Sequence, residues 1–235
     1  MSLTACEKEI FNRILKEELV PATGCTEPVA IAYAAAAAKK ALGCEPEVCE
    51  AELSGNIIKN ARCVAVPNTG GLKGIEAAVA AGVVAGRAEL ALDVLSSASG
   101  REEEIRDFLE KRGVSVRPAD NDLTFFIRVT VGAGSSRAKA VIEGFHTNLV
   151  LIEKDGRELF RSGVKSNPCC VADRSMLTVE KIVEFADVAD LDEIREILER
   201  QIAFNSAISE EGLKGDWGAN VGKVILKTFG DSPES

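Results

Sequence analysis

The sequence predicts an α+β protein in which a helical body, formed from both ends of the chain, accompanies a small, mostly antiparallel sheet lobe in the middle. Three observations predict it. Apolar residues recur at helical spacing near the start and the end of the 235-residue chain, whereas strict alternation is confined to its middle third. Asp155-Gly156 stands between two of the alternating stretches, where a tight hairpin needs it. With 46% hydrophobic residues, the chain can bury the core of one large domain or two modest ones. The expected division is residues 1–87 with 166–235 for the helical body, which carries a motif around Cys25, and 88–165 for the α+β lobe.

Each element follows in order. Residues 5–19 put Ile10, Phe11, Ile14, Leu15 and Leu19 on one helical face. The stretch VPATGCTEPVAIAYAAAAAKKAL then runs a turn into an alanine-rich segment of high helix propensity. Because proline is tolerated only in a first helical turn, Pro28 sets the helix start near Thr26 to Pro28, and Gly43 and Pro46 stop it after Leu42. Extended segments are expected near 47–53 and 61–66, the second bounded by Pro67. A Gly70-Gly71 turn and Lys73 lead into a small-residue helix over roughly 73–86, with ELALDVLSS continuing as a further helix. REEEIRDFLEKRG reads as a charged amphipathic helix ending at Gly113, and LTFFIRVTV as a strand with Phe125, Ile127, Val129 and Val131 on one face. RAKAVIEGF and TNLVLIEKDGREL supply further strands. Helical spacing returns after Thr178, through Val179, Ile182, Val183 and Phe185, then Ile194, Ile197, Leu198 and Ile202. A last helix in GDWGANVGKVILKTFG is apolar along Val221, Val224, Ile225 and Phe229. Leaving such a stripe in water is unfavourable by roughly 1.5 to 3 kcal/mol per large side chain, so a homo-oligomer is the simplest expected cover.

Charge and cysteine usage narrow the function classes. The net charge is −9, with 28 Lys and Arg dispersed among 37 Asp and Glu, which argues against nucleic acid as a partner. No apolar run reaches the ~18 residues that a membrane span needs, and no basic-then-apolar leader opens the sequence, so a cytoplasmic protein is expected. Seven cysteines without a C-x-x-C pair do not read as a disulfide framework in that compartment.

Cys25 is the leading candidate for chemistry. At the mouth of a helix, unpaired N–H groups and the helix dipole favour a thiolate, which is a better nucleophile or metal ligand than a thiol. The plainer alternative is a buried small apolar side chain. In VPNTGGLKG, Asn68, Thr69, Gly70 and Gly71 can present backbone N–H groups to a carboxylate or phosphate, with Lys73 as counter-charge, or can simply cap a helix. His146, in GFHTNLV, is the sole imidazole and so the one side chain whose ordinary pKa lies near neutrality; its alternatives are a proton-transfer role and a structural one. Cys44, Cys49 and Cys63 lack a nearby fourth ligand for zinc, and Cys169-Cys170 fall in an expected loop.

Taken in order, PATGCTEP, SGNIIKN, VPNTGG, EGFHTNLV and GDWGANVGK resemble the L-cysteine desulfidase family, related to the alpha chain of iron–sulfur L-serine dehydratases. The resemblance implies a [4Fe–4S] cluster on three cysteines and β-elimination of L-cysteine or L-serine to pyruvate and ammonia. Cys25 matches the first cluster ligand. The other two fall in a C-terminal half that this sequence does not contain, which implies a second half or second subunit as partner. In that chemistry the Asn68 to Gly71 turn would hold the carboxylate of the small amino-acid substrate, and Lys73 or His146 would serve the proton. The competing expectation is a non-catalytic amino-acid-binding or assembly half that works only beside a separate C-terminal partner.

Overall fold

The computed structural model describes residues 3–21, 24–162 and 172–230; Cys169 and Cys170 lie outside them. The chain forms two compact units, Met1–Pro21 with Ser166–Ser235, and Ala22–Lys165. This boundary differs from the expected one. The alanine-rich and small-residue helices, assigned from sequence to the helical body, belong with the sheet.

The larger unit is a six-stranded sheet covered by helices. Its strands are β1 (Val48–Leu53), β2 (Ser115–Pro118), β3 (Phe126–Ala133), β4 (Ser136–Glu143), β5 (Leu149–Lys154) and β6 (Arg157–Arg161). They run in the order β2-β1-β3-β4-β5-β6, parallel between β1 and β2 and antiparallel elsewhere. The expected mixed α+β class, with a mostly antiparallel central sheet, is what the structure has. The alternation read in β3 is real, since Ile127, Val129 and Val131 are fully buried. Cys49, Ala51 and Leu53 do the same on β1. Between the last two, Glu52 is paired with Arg117 on β2 at 2.9 Å and with Arg128 on β3, each its cross-strand neighbour in register.

Two helices form the next layer. Helix α2 (Thr26–Leu42) packs on β3, β4 and β5 with one side and on α4 (Gly74–Ala85) with another. An apolar seam on both sides explains a helix of small residues buried almost throughout. The approach is close enough to require glycine: a Cβ on Gly82 would lie 2.3 Å from the Ala32 carbonyl oxygen. Helix α5 (Glu102–Arg112) packs on α4, burying Ile105.

Two local expectations are corrected, and one element is added. SGNIIKNA, between the two segments expected to be extended, forms the short helix α3 (Gly55–Ala61), because burial of Ile57 outweighs the weak helix propensity of its Gly, Asn and Ile residues. The strand expected over 61–66 reduces to one isolated bridge, Ala65 with Lys73. After Gly86 the chain makes a 3-10 segment, Ala88–Asp93, broken at Ala91, whose φ of +47° lies outside the helical region.

The smaller unit is helical, as expected of the two chain ends. It contains α1 (Ala5–Glu18), α6 (Val179–Val188), α7 (Leu191–Lys214) and α8 (Val221–Phe229). Thr4 and Glu7 close a capping box on α1. Phe11 stacks on Phe185 of α6 at 4.9 Å, and Lys181 reaches Glu7 at 2.7 Å. Among the described residues no helix is long and apolar enough to cross a membrane.

Candidate functional site

Four of the sequence motifs meet at the N-terminus of α2. Cys25 is the residue that caps this helix, with extended backbone, and Glu27 stands in its first turn. The Cys25 Sγ–H donates to Glu27 Oε2 at 3.1 Å. From α3, Asn60 Nδ2 donates to the other carboxylate oxygen, Oε1, at 3.2 Å. Gly24 sits against the next motif: a Cβ there would come within 3.0 Å of the Pro67 ring, in a backbone conformation at φ +73° that L side chains avoid.

His146 completes the cluster from the loop after β4. That loop is fixed by its own polar residues, with Asn148 Nδ2 donating to the Glu143 carbonyl at 2.8 Å and the Gly144 N–H to the Phe125 carbonyl at 3.0 Å. The imidazole packs edge-on against Phe125, 4.7 Å between centroids, and Nε2 is buried with no hydrogen-bond partner among the described residues. Burial pushes the His146 pKa below its ordinary value, against the pull of the Glu27 charge, and so favours the neutral ring. Burial also raises Glu27, but the hydrogen bonds from Cys25, from the Glu27 backbone and from Asn60 outweigh it and hold the carboxyl below its usual range.

The thiol behaves otherwise than the helix position alone predicts. Its pKa is raised, first by burial and then by the hydrogen bond to the Glu27 carboxylate. The Glu27 N–H still favours the thiolate, as the helix-terminus argument requires, but Glu27 already occupies the role of the anion at this helix end. Cys25 is therefore a protonated donor in the metal-free chain.

The Asn68 to Gly71 turn reaches this neighbourhood through Pro67, but its side chains are committed to the fold. Thr69 is fully buried and donates to the Val66 carbonyl at 2.8 Å, and Asn68 Nδ2 donates to the Leu95 carbonyl at 3.1 Å. Exposed Gly70 and Gly71 remain, at φ +63° and +86°, with N–H groups that donate to no backbone carbonyl among the described residues. Substrate binding by this turn would rest on these amides alone. Glu102 lies against Gly70, where its carboxylate opposes an anion. Lys73 precedes α4 with an exposed side chain that joins none of the hydrogen bonds around Cys25.

A cluster held on three cysteines requires three thiolates within reach of one another. Among the described residues no three Cys, His, Asp or Glu side chains assemble a metal site. A three-cysteine cluster does not fit on these residues by themselves. Sequence reasoning missed Glu27 and Asn60. The signal was present, since Glu27 lies two residues after Cys25 in the quoted motif and Asn60 closes SGNIIKN.

The chain is similar to three curated relatives over nearly its whole length. It is 45% identical to the UPF0597 protein DSY1109 of Desulfitobacterium hafniense (strain Y51) over 225 residues, 95% of this chain and 52% of that one. It is 40% identical to a UPF0597 protein of Treponema denticola over 232 residues, 97% and 53% respectively. The UPF0597 protein FN1147 of Fusobacterium nucleatum matches at 40% over 217 residues, 91% and 51%. The chain thus spans about half the length of the curated relatives it matches, the N-terminal half. No family model and no solved structure matches it.

Proposed function

Since this chain is a relative of the UPF0597 proteins and corresponds to about half of one, we propose that it is the thiol-bearing half of an iron–sulfur lyase acting on L-cysteine, with L-serine as second substrate. The observation that carries the reading is the meeting of Cys25, Glu27, Asn60 and His146 at the head of α2. In this reading Cys25 is one of three cysteine ligands, and the half that the chain does not span supplies the others. The group they would hold supplies an electrophile for the leaving sulfide or hydroxide.

The chain's own residues account for the remainder of the chemistry. Loss of the Cα proton and of the β-substituent leaves an enamine, which tautomerises and takes up water to give pyruvate and ammonia. An imidazole whose burial favours the neutral form, with a buried Nε2 that has no hydrogen-bond partner among the described residues, is suited to accept that Cα proton. Glu27 can take the thiol proton when Cys25 becomes a ligand, because the thiol already donates to it. The Gly70 and Gly71 amides are the candidates for the substrate carboxylate.

A second reading, an amino-acid-binding or assembly half without catalysis of its own, is favoured by the lack of a three-residue metal-ligating group among the described residues and by the structural use of Asn68 and Thr69. Anaerobic reconstitution with iron and sulfide separates the two. The lyase reading expects cluster absorbance and pyruvate from L-cysteine when the second half of a UPF0597 relative is present, and loss of both in Cys25→Ser. Cluster-free protein and no pyruvate under any pairing leave the second reading.

A further inference from the structure

Helices α7 and α8 of the smaller unit hold a large apolar surface out of any core. Every residue from Gln201 to Lys214 is exposed, and α8 buries none of its side chains. Ile202, Phe204 and Ile208 on α7, Trp217 in the connection, and Val221 and Val224 on α8 are each more than half exposed. They do not form one narrow stripe. At 100° per residue Ile202 and Phe204 point to nearly opposite sides of α7, and a helix that is apolar on more than one side is ordinarily enclosed by other elements.

We infer that α7 and α8 are the docking element for the second half of the family's polypeptide, which packs around them as a core shared between the two halves. The relatives carry about as much chain again as this one, and the matched part is their N-terminal half. The polypeptide in those proteins therefore continues beyond the residues aligned with α8. A segment tethered there is held at an effective concentration in the millimolar range for a short linker, which favours it over a second copy of the chain. The inference stands on relative length and exposure, and it is independent of the lyase chemistry at Cys25.

The test joins this chain in frame to the second half of the D. hafniense relative and compares it with the chain alone by hydrogen exchange of residues 202–224 and by sedimentation. The expected result is a monomeric chain alone, fast exchange across this segment, and exchange slowed at least tenfold in the fusion. Ile208→Asp with Val224→Asp in the fusion should restore fast exchange. A chain that sediments as a dimer with 202–224 already protected overturns the inference, because a second copy is then the cover. Fast exchange in both forms overturns it too, because the helices are then a solvated arm. Should the fusion be insoluble, the intact D. hafniense relative compared with its own first half reads the same quantity with the same outcomes.

Discussion

The Cys25 thiol donates to the Glu27 carboxylate at 3.1 Å, so the residue best placed by its helix to be a thiolate is held as a thiol by its neighbour two positions on. Alkylation of the metal-free chain at pH 7 should therefore be slower at Cys25 than at the exposed Cys44 and Cys63. Removing the carboxylate charge lowers the thiol pKa, and one pKa unit is about a tenfold change in thiolate, so Glu27→Gln should speed labelling of Cys25 by roughly three- to tenfold. Iodoacetamide labelling followed by peptide mass mapping measures both. Labelling of Cys25 first in the unaltered chain would reverse the account given of Glu27.

His146 is expected to act on rate. With the second half of a relative present and the protein reconstituted, His146→Ala should lower kcat for pyruvate formation by about 10² to 10⁴, the range for loss of a general base. Asn60→Ala, which frees one oxygen of Glu27, should have a smaller effect on kcat and should raise the pH at which Glu27 titrates. Equal kcat in His146→Ala and the unaltered protein would remove the imidazole from the reaction.

Helix packing gives a prediction about stability alone. Gly82→Ala gains about 1 kcal/mol of helix propensity yet drives a methyl group into the Ala32 carbonyl of α2, and overpacking of this kind typically costs about 1 to 3 kcal/mol. Urea unfolding should show a lower midpoint. A higher one would mean that α2 and α4 separate without cost.

Within the sheet, Glu52→Ala leaves Arg128 and Arg117 facing a site without its carboxylate. Breaking a fully buried pair costs about 3 to 5 kcal/mol, but the Arg117 side chain is 59% exposed and solvent compensates it, so about 1 to 3 kcal/mol is expected. Chemical denaturation of the variant beside Arg117→Ala, which should be nearly neutral, apportions the loss to Arg128.

In the smaller unit the Lys181 ammonium, with the Thr4 backbone and hydroxyl, lowers the Glu7 pKa to about 2. A carboxyl depressed on folding contributes stability that is full above its unfolded pKa and is lost as pH falls through the folded value. The α1 to α6 contact should thus weaken between about pH 4.3, the ordinary value for glutamate, and about 2. Carboxyl NMR titration should place the Glu7 midpoint near the lower limit, and Lys181→Met should move it upward.

How far the fold could be read depended on whether burial followed a repeat. In β3 the alternation of Ile127, Val129 and Val131 was legible because one face is buried, and α1, α2, α4 and α5 announced themselves through periodicity, Pro28, Gly86 and Gly113. Helix α3 was not legible, since seven residues with two β-branched side chains carry no helical signature until Ile57 finds its core. The same limit applies to the site. Cys25 and His146 stood out as rare residue types, whereas Glu27 and Asn60 are common ones whose meaning comes from a meeting 33 residues apart. The raised thiol pKa was hidden too, because it comes first from burial and then from Glu27, and propensity arguments see the helix end but neither of these.

The order of the strands also fixes when the site can exist. Strands β3 to β6 follow one another in sequence and pair as neighbours, so their hairpins close over short loops. Strand β1 must instead find β2 and β3 across some 60 to 80 residues, and α2 reaches β3 to β5 over a greater span. Non-local pairings repay their loop-closure entropy last, which makes them the slow part of folding. The imidazole belongs to the early meander and the thiol to the late-docking helix. During synthesis Cys25 leaves the ribosome before the surface that will partner it has been made, and it spends that interval as an open thiol without the imidazole's sheet beside it.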